Sequence, residues 1–232
     1  LADYISVYGF MLQYLSALPS QSSHDKKATG DGDSNPATST LDKQQDIPNP
    51  KGTQLLLVGY SYGAMIASHL PKVEDVSALF TNPTSSSSAE TICSKAKELA
   101  MTRDGPHDEN DKKATQGTLP TISYLLLSPI LPPASNFVTL FSNLSSVSIK
   151  GRPIPTAPPV EQLPTHRTLV IYGTDDMFTS EKKLQDWAKT LKDVPGSLVQ
   201  SQEIAMAGHF WVEQRFHGML RQAIHEWEGR AQ

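Results

Sequence analysis

A chain of 232 residues with a formal charge of −4 holds one domain's worth of sequence, and its single cysteine, Cys93, allows no internal disulfide. No basic stripe with interleaved aromatics is present, so nucleic acid is not an expected partner; no apolar run reaches about 18 residues, so no membrane-spanning helix is expected. The lone cysteine and the lack of a visible secretory leader point to a reducing, cytoplasmic setting.

The hydrophobic share is 38%, below that of an average globular chain. The apolar residues nevertheless crowd into dense runs between Ser-, Thr-, Asp-, Lys- and Pro-rich stretches, the pattern of a packed core with polar insertions. The chain opens on Leu1, not Met, and already within a helical stripe of Tyr4, Tyr8, Met11, Leu12, Leu15 and Leu18. It is therefore expected to start partway through a longer protein or to have been processed. Asp3 offers an N-cap and Pro19 a stop, and Tyr4 and Tyr8 are expected in the core. Residues 19–50 have no apolar period and read as a disordered insertion. Asp31 and Asp33 lack, at the required spacings, the glycine and the distant glutamate that a calcium loop needs.

Residues 54–58 read as a buried strand and 62–70 as a helix ended by Pro71. Residues 76–80 read as a short strand or packed turn. Ala89–Met101 places Ile92, Ala96, Leu99 and Ala100 on one helical face, with Cys93 just off it. A second polar insertion covers 102–118, where His107 is expected in solvent. Thr121–Leu127 is a second buried strand. Residues 129–164 are Pro-rich, with one short helical pattern (Phe137, Leu140, Phe141, Leu144) and no strong strand; a lid or pocket wall is expected there. Arg167–Tyr172 is a third strand. It is followed by Gly173-Thr174-Asp175-Asp176 and a helix carrying Leu184, Trp187, Ala188 and Leu191. Residues 197–206 make a fourth strand before Gly208-His209. A last helix aligns Val212, Phe216, Leu220, Ala223 and Trp227. Strands alternating with helices predict an α/β fold over residues 1–232, with a mainly parallel sheet and helices on both faces.

Ligand sites in such sheets lie beyond the carboxyl ends of the strands. Three candidates fall there. Gly59-Tyr60-Ser61-Tyr62-Gly63 sits between an uncharged apolar strand and a helix start, which puts the Ser61 hydroxyl at the tip of a tight turn. Gly59 and Gly63 are read as leaving room for that turn. The N–H of Tyr62, opening the helix, is placed to donate to a developing oxyanion, and the helix dipole favours negative charge there. Asp176 lies three residues past Gly173 in the turn after the third strand, with Asp175 as the alternative carboxylate. His209 follows the fourth strand and precedes an aromatic-rich helix. Ser61 would attack an acyl carbon, His209 would move its proton, and Asp176 would orient the imidazole. Of the other histidines, His217 and His225 lie in the last helix as packing or surface residues, His69 ends the helix after Ser61, and His166 precedes a strand. No histidines, cysteines or carboxylates converge at zinc spacings, so neither metal nor organic cofactor is expected.

Leu57-Val58-Gly59-Tyr60-Ser61-Tyr62-Gly63-Ala64, Ile171-Tyr172-Gly173-Thr174-Asp175-Asp176 and Ala207-Gly208-His209-Phe210-Trp211, in this order, resemble the α/β-hydrolase superfamily of serine hydrolases. More narrowly they are similar to a small microbial group with a Gly-[Phe/Tyr]-Ser-[Phe/Tyr]-Gly-Ala elbow and a Gly-or-Asp-His-Phe-[Phe/Trp] histidine loop; the His217-Gly218-x-Leu220 run echoes it too. The resemblance implies an esterase or thioesterase acting on a small-molecule acyl substrate through an acyl-enzyme on Ser61. It also implies strands, and a second oxyanion donor, ahead of the point where this chain begins. About half the sheet is therefore expected to be missing, with an exposed edge strand. Two other functions stay open at this level: a catalytically silent, hydrolase-like interaction protein or inactive fragment, and a serine peptidase.

Overall fold

The structure is a computed structural model that describes residues 2–18, 53–81, 88–103, 119–133, 146–149 and 152–230. The insertion at 19–50, with Asp31 and Asp33, lies outside these residues, as do His107 and the Phe137–Leu144 pattern. Of the insertion at 102–118, residues 102 and 103 end a helix and the rest also lies outside.

In chain order the elements are α1 (Ala2–Ala17), β1 (Gln54–Tyr60), α2 (Tyr62–Ser68), α3 (Val73–Thr81), α4 (Ser88–Arg103) and β2 (Thr121–Leu127). There follow β3 (Ser146–Ile149), β4 (Arg152–Pro155), α5 (Pro159–Gln162), a 3-10 turn (Leu163–Thr165) and β5 (Arg167–Asp175). The chain closes with α6 (Glu181–Lys192), β6 (Val199–Gly208) and α7 (Gln214–Gly229). β1, β2, β5 and β6 form one sheet in that order, and every pair is parallel. All four carboxyl ends therefore lie on one side, and Ser61, Asp176 and His209 each follow one of them.

Alternation along the strands divides the core into two layers. Ile122, Tyr124 and Leu126 of β2 join Val170 and Tyr172 of β5 beneath α1, α2, α3 and α6. Leu125 of β2 and Leu169 and Ile171 of β5 face the opposite way, against Phe216 and Trp227 of α7. Each fully buried Leu or Ile contributes about 1.5–3 kcal/mol by leaving water, and these two layers hold the strand ends in register. Arg167 helps to anchor α7. Its guanidinium donates to the Trp227 carbonyl and lies 3.8 Å from the centre of the Trp227 ring.

β1 is an edge strand among the described residues. Leu55 and Leu57 pack toward α1, whereas Leu56 and Val58, on the face that α7 covers farther in, are 39% and 56% exposed.

Several local expectations are corrected. Residues 76–80 are helical, not a strand or turn: Val73, Val76 and Phe80 recur at helical spacing on the buried face of α3, and Glu74 and Asp75 suit its positive first turn. The Phe80 ring fills the space where a side chain at Gly9 would stand, only 2.0 Å from the position of a Cβ, so Gly9 is what lets α1 and α3 meet. α1 begins before Asp3, which sits in its first turn and is no cap; Tyr8 is buried, but Tyr4 is 47% exposed. Cys93 lies on the buried face of α4, its thiol donating to the Phe80 carbonyl at 3.2 Å, while Leu99 is exposed. Burial pushes that thiol's pKa up. α2 ends at Ser68, two residues before the predicted end. Residues 129–164 contain the antiparallel pair β3–β4 and the short helix α5. That hairpin has the proline-containing sequence Arg-Pro-Ile-Pro on one strand, which hides it from strand-based reading. Val212 precedes α7 and is 83% exposed.

His69 and His166 are held below the usual histidine pKa, both chiefly by burial. The unfolded chain then takes up protons first as the pH falls, so stability is full above the ordinary histidine value and is lost on the acid side of it. The urea midpoint is expected to fall between pH 7 and pH 5. His166→Phe, which keeps a ring against Tyr124, should flatten that slope; an identical slope in the variant would remove His166 as a cause.

Candidate active site

The turn after β1 puts Ser61 in a conformation that non-glycine residues seldom adopt, φ 56° and ψ −120°. Three backbone hydrogen bonds hold it there. The Ser61 N–H donates to the Leu127 carbonyl at the end of β2, at 2.9 Å. The Ser61 carbonyl accepts from Ala64 and Met65 at 3.1 and 3.3 Å, which starts α2. The two flanking glycines are not equivalent. A Cβ on Gly59 would lie 2.4 Å from the Gly63 carbonyl oxygen and 2.5 Å from Ala64 Cα, so β1 and α2 can meet only over a glycine. A Cβ on Gly63 would meet nothing closer than the Tyr4 hydroxyl at 3.8 Å. The expectation that Gly63 makes room for the turn is therefore corrected.

His209 stands in the turn after β6, and its side chain is 1% exposed. Nε2 lies 2.7 Å from Ser61 Oγ, and Nδ1 lies 2.7 Å from Asp176 Oδ2. The carboxylate is itself fixed: Asp176 Oδ1 accepts from the Phe178 and Thr179 N–H groups at 2.8 and 3.1 Å. With Asp176 accepting at Nδ1, the neutral imidazole carries its proton there and leaves Nε2 free to accept from the serine hydroxyl. Asp175 is the last residue of β5 and is exposed, pairing in register with Gly208. Asp176, in the turn just past the strand, is the aspartate that reaches the histidine.

Tyr62 is the first residue of α2, so its N–H is one of those a helix start leaves without an intrahelical acceptor. Of the other described histidines, His69 Nδ1 donates to the Met65 carbonyl at 2.8 Å, and the His166 ring packs against Tyr124. His225 is exposed. Among the described residues no three histidine, cysteine or carboxylate side chains are grouped to hold a metal ion.

Sequence reading missed the residues that fasten the histidine loop. Tyr60 Oη donates to the His209 carbonyl at 3.0 Å; partial burial and the nearby Asp176 charge push its pKa up. Trp211 Nε1 donates to Ser128 Oγ at 3.1 Å, and both residues have positive φ, 51° and 44°. His217 Nε2 donates to the Trp211 carbonyl at 2.7 Å, so this helix histidine has a task in the loop and is more than a surface or packing residue. Thr179 ties the acid turn to the segment after β2 by accepting from the Leu131 N–H at 3.1 Å. The signal available in sequence was adjacency: Tyr60 precedes Ser61, and Trp211 lies two residues past His209.

Compared with known proteins, residues 17–221 match the family model described as the alpha/beta hydrolase family. The chain belongs to that family. Neither curated proteins nor solved structures give a match.

The contrast between the glycines is testable. Gly59→Ala should lower the melting temperature sharply, since backbone must move. Gly63→Ala should fold normally and gain up to about 1 kcal/mol from helix propensity. Equal melting temperatures for the two variants would contradict the geometry.

Proposed function

We propose that this chain is a serine hydrolase that transfers an acyl group to water through an acyl-enzyme on Ser61, with an ester or thioester of a small or medium acyl compound as substrate. The observation that carries this is the unbroken chain from Ser61 Oγ through the His209 imidazole to Asp176, with both links at 2.7 Å. Membership of a hydrolase family agrees with it.

Each group has a role. His209 Nε2 accepts the Ser61 proton as Oγ attacks the acyl carbon, and Asp176 stabilises the imidazolium and keeps the ring in the productive tautomer. The Tyr62 N–H and the positive end of α2 stabilise the oxyanion, a contribution on the order of 10²–10³ in turnover for a single donor. His209 then returns the proton to the leaving group. In the second half-reaction the same imidazole takes a proton from water, and Ser61 is released. No step calls for a cofactor or metal.

A fluorophosphonate probe should label the wild-type chain at Ser61, and Ser61→Ala should abolish labelling. Asp176→Asn is expected to lower turnover by about 10⁴, as loss of the orienting carboxylate does in such triads. Asp175→Asn should change it by less than about threefold, since that residue is exposed and the imidazole is held by Asp176 instead. A wild-type chain that is neither labelled nor able to cleave short-chain esters would overturn the proposal.

A further inference from the structure

Three aromatic rings close around the imidazole of His209. Phe178 approaches edge-on with its centroid at 4.6 Å, Phe210 edge-on at 5.2 Å, and Tyr60 at a tilt at 5.6 Å. Phe178 and Phe210 also meet each other edge to face, 5.9 Å apart. They come from different loops, one lying two residues past Asp176 and the other directly after His209. Neither is a core residue: Phe178 is 41% exposed and Phe210 59% exposed, while the imidazole they cover is 1% exposed. The two rings thus show one side to the histidine and the other to solvent.

That arrangement constrains whatever takes a proton from Nε2. A proton acceptor must come within about 2.6–3.2 Å of the donor nitrogen. Asp176 Oδ2 holds Nδ1 and Ser61 Oγ lies against Nε2, so a leaving atom reaches Nε2 beside Ser61. Phe178, Phe210 and Tyr60 pack about the same ring and are the aromatic groups nearest to that approach among the described residues. Among the described residues, the groups in contact with the imidazole include no cation that could receive a charged leaving group. We infer that Phe178 and Phe210 form a leaving-group subsite, and that the substrate class is an ester whose alcohol is apolar and aromatic. The inference rests on the proposed roles of Ser61 and His209. As the acyl carbon–oxygen bond breaks, its electron pair stays on the leaving oxygen, which takes the proton from Nε2. The acyl carbon remains bonded to Ser61 Oγ, and the alcohol departs neutral along the two rings.

The test compares benzyl butyrate with methyl butyrate, which share an acyl group and have alcohols of similar acidity. The value of kcat/KM for each is divided by its rate of hydroxide-catalysed hydrolysis. The wild-type chain should favour the benzyl ester by about tenfold or more, the low end of what an apolar contact site gives. Phe210→Ala should bring that ratio to within about threefold of unity, and Phe210→Leu, which keeps apolar area, should fall between. The ratio divides out any general loss from loosening His209, and Phe178→Ala serves as the second variant. A wild-type ratio near one, or a ratio unchanged in both alanine variants, overturns the inference. If neither ester is cleaved while the fluorophosphonate probe labels Ser61, the leaving-group inference fails and the serine hydrolase reading stands. If the probe fails as well, that reading fails first.

Discussion

The imidazole of His209 has to bridge a distance that the sheet imposes. Ser61 follows β1 and His209 follows β6, the two outer strands of the described sheet, with β2 and β5 between them. At about 4.8 Å per strand, three steps separate them by about 14 Å. The histidine turn must lean back across two strand ends to bring Nε2 within 2.7 Å of Ser61 Oγ. Asp176, after the intervening β5, meets the ring on the way. Because the strands are all parallel, their ends share one side and the crossing needs only a short turn.

The crossing is supported by a close seam between β5 and β6. A Cβ on Gly173 would lie 1.9 Å from the Ala207 carbonyl oxygen, so the two strands run closer there than any side chain would allow. Past that point the register shifts, and Asp175 pairs with Gly208. There β6 spends two residues more than β5, and the irregularity changes the aim of the acid turn and of the histidine turn together. Met206, at φ 62°, donates its N–H to Thr174 Oγ1 at 2.8 Å and pins the seam from the other strand. Among the described residues the non-glycine positions with positive φ are Ser61, Ser128, Met206 and Trp211, all at or near carboxyl ends of the strands. Such conformations cost about 1–3 kcal/mol each and persist only where neighbours over-determine them. Here those neighbours are the bonds from Ser61 to Leu127, Ser128 to Ile171 and Trp211 to Ser128. Strain and fastening coincide on the side of the sheet that carries Ser61, Asp176 and His209.

Much of this was legible from short-range pattern. Thr121–Leu127 reads as a strand because six of its seven residues are apolar or β-favouring and Ser-Pro follows. α6 was legible because Leu184, Ala188 and Leu191 repeat at helical spacing and are the residues that end up buried. The α3 segment was not, because five residues with apolar ends fit a strand as well as a helix. The β3–β4 pair was not, because prolines disguise it and its partner strand is antiparallel outside the main sheet.

The amino-acid sequence by itself determined the fold class, the strand-ending positions of Ser61, Asp176 and His209, and their order. Those features depend on local periodicity and turn chemistry, which act over a few residues. Only the tertiary structure decided which of the two aspartates meets the imidazole: Asp175 ends β5 exposed, while Asp176, in the turn beyond it, is buried against His209. It alone showed that Gly59 is sterically required and Gly63 is not, because the obstructing atoms belong to a helix packed back on the strand. It alone brought Tyr60, Phe178 and Phe210 around one ring, from positions as far apart as 60 and 210. Contacts of that reach are settled by how layers pack across a sheet, and no window along the chain contains them.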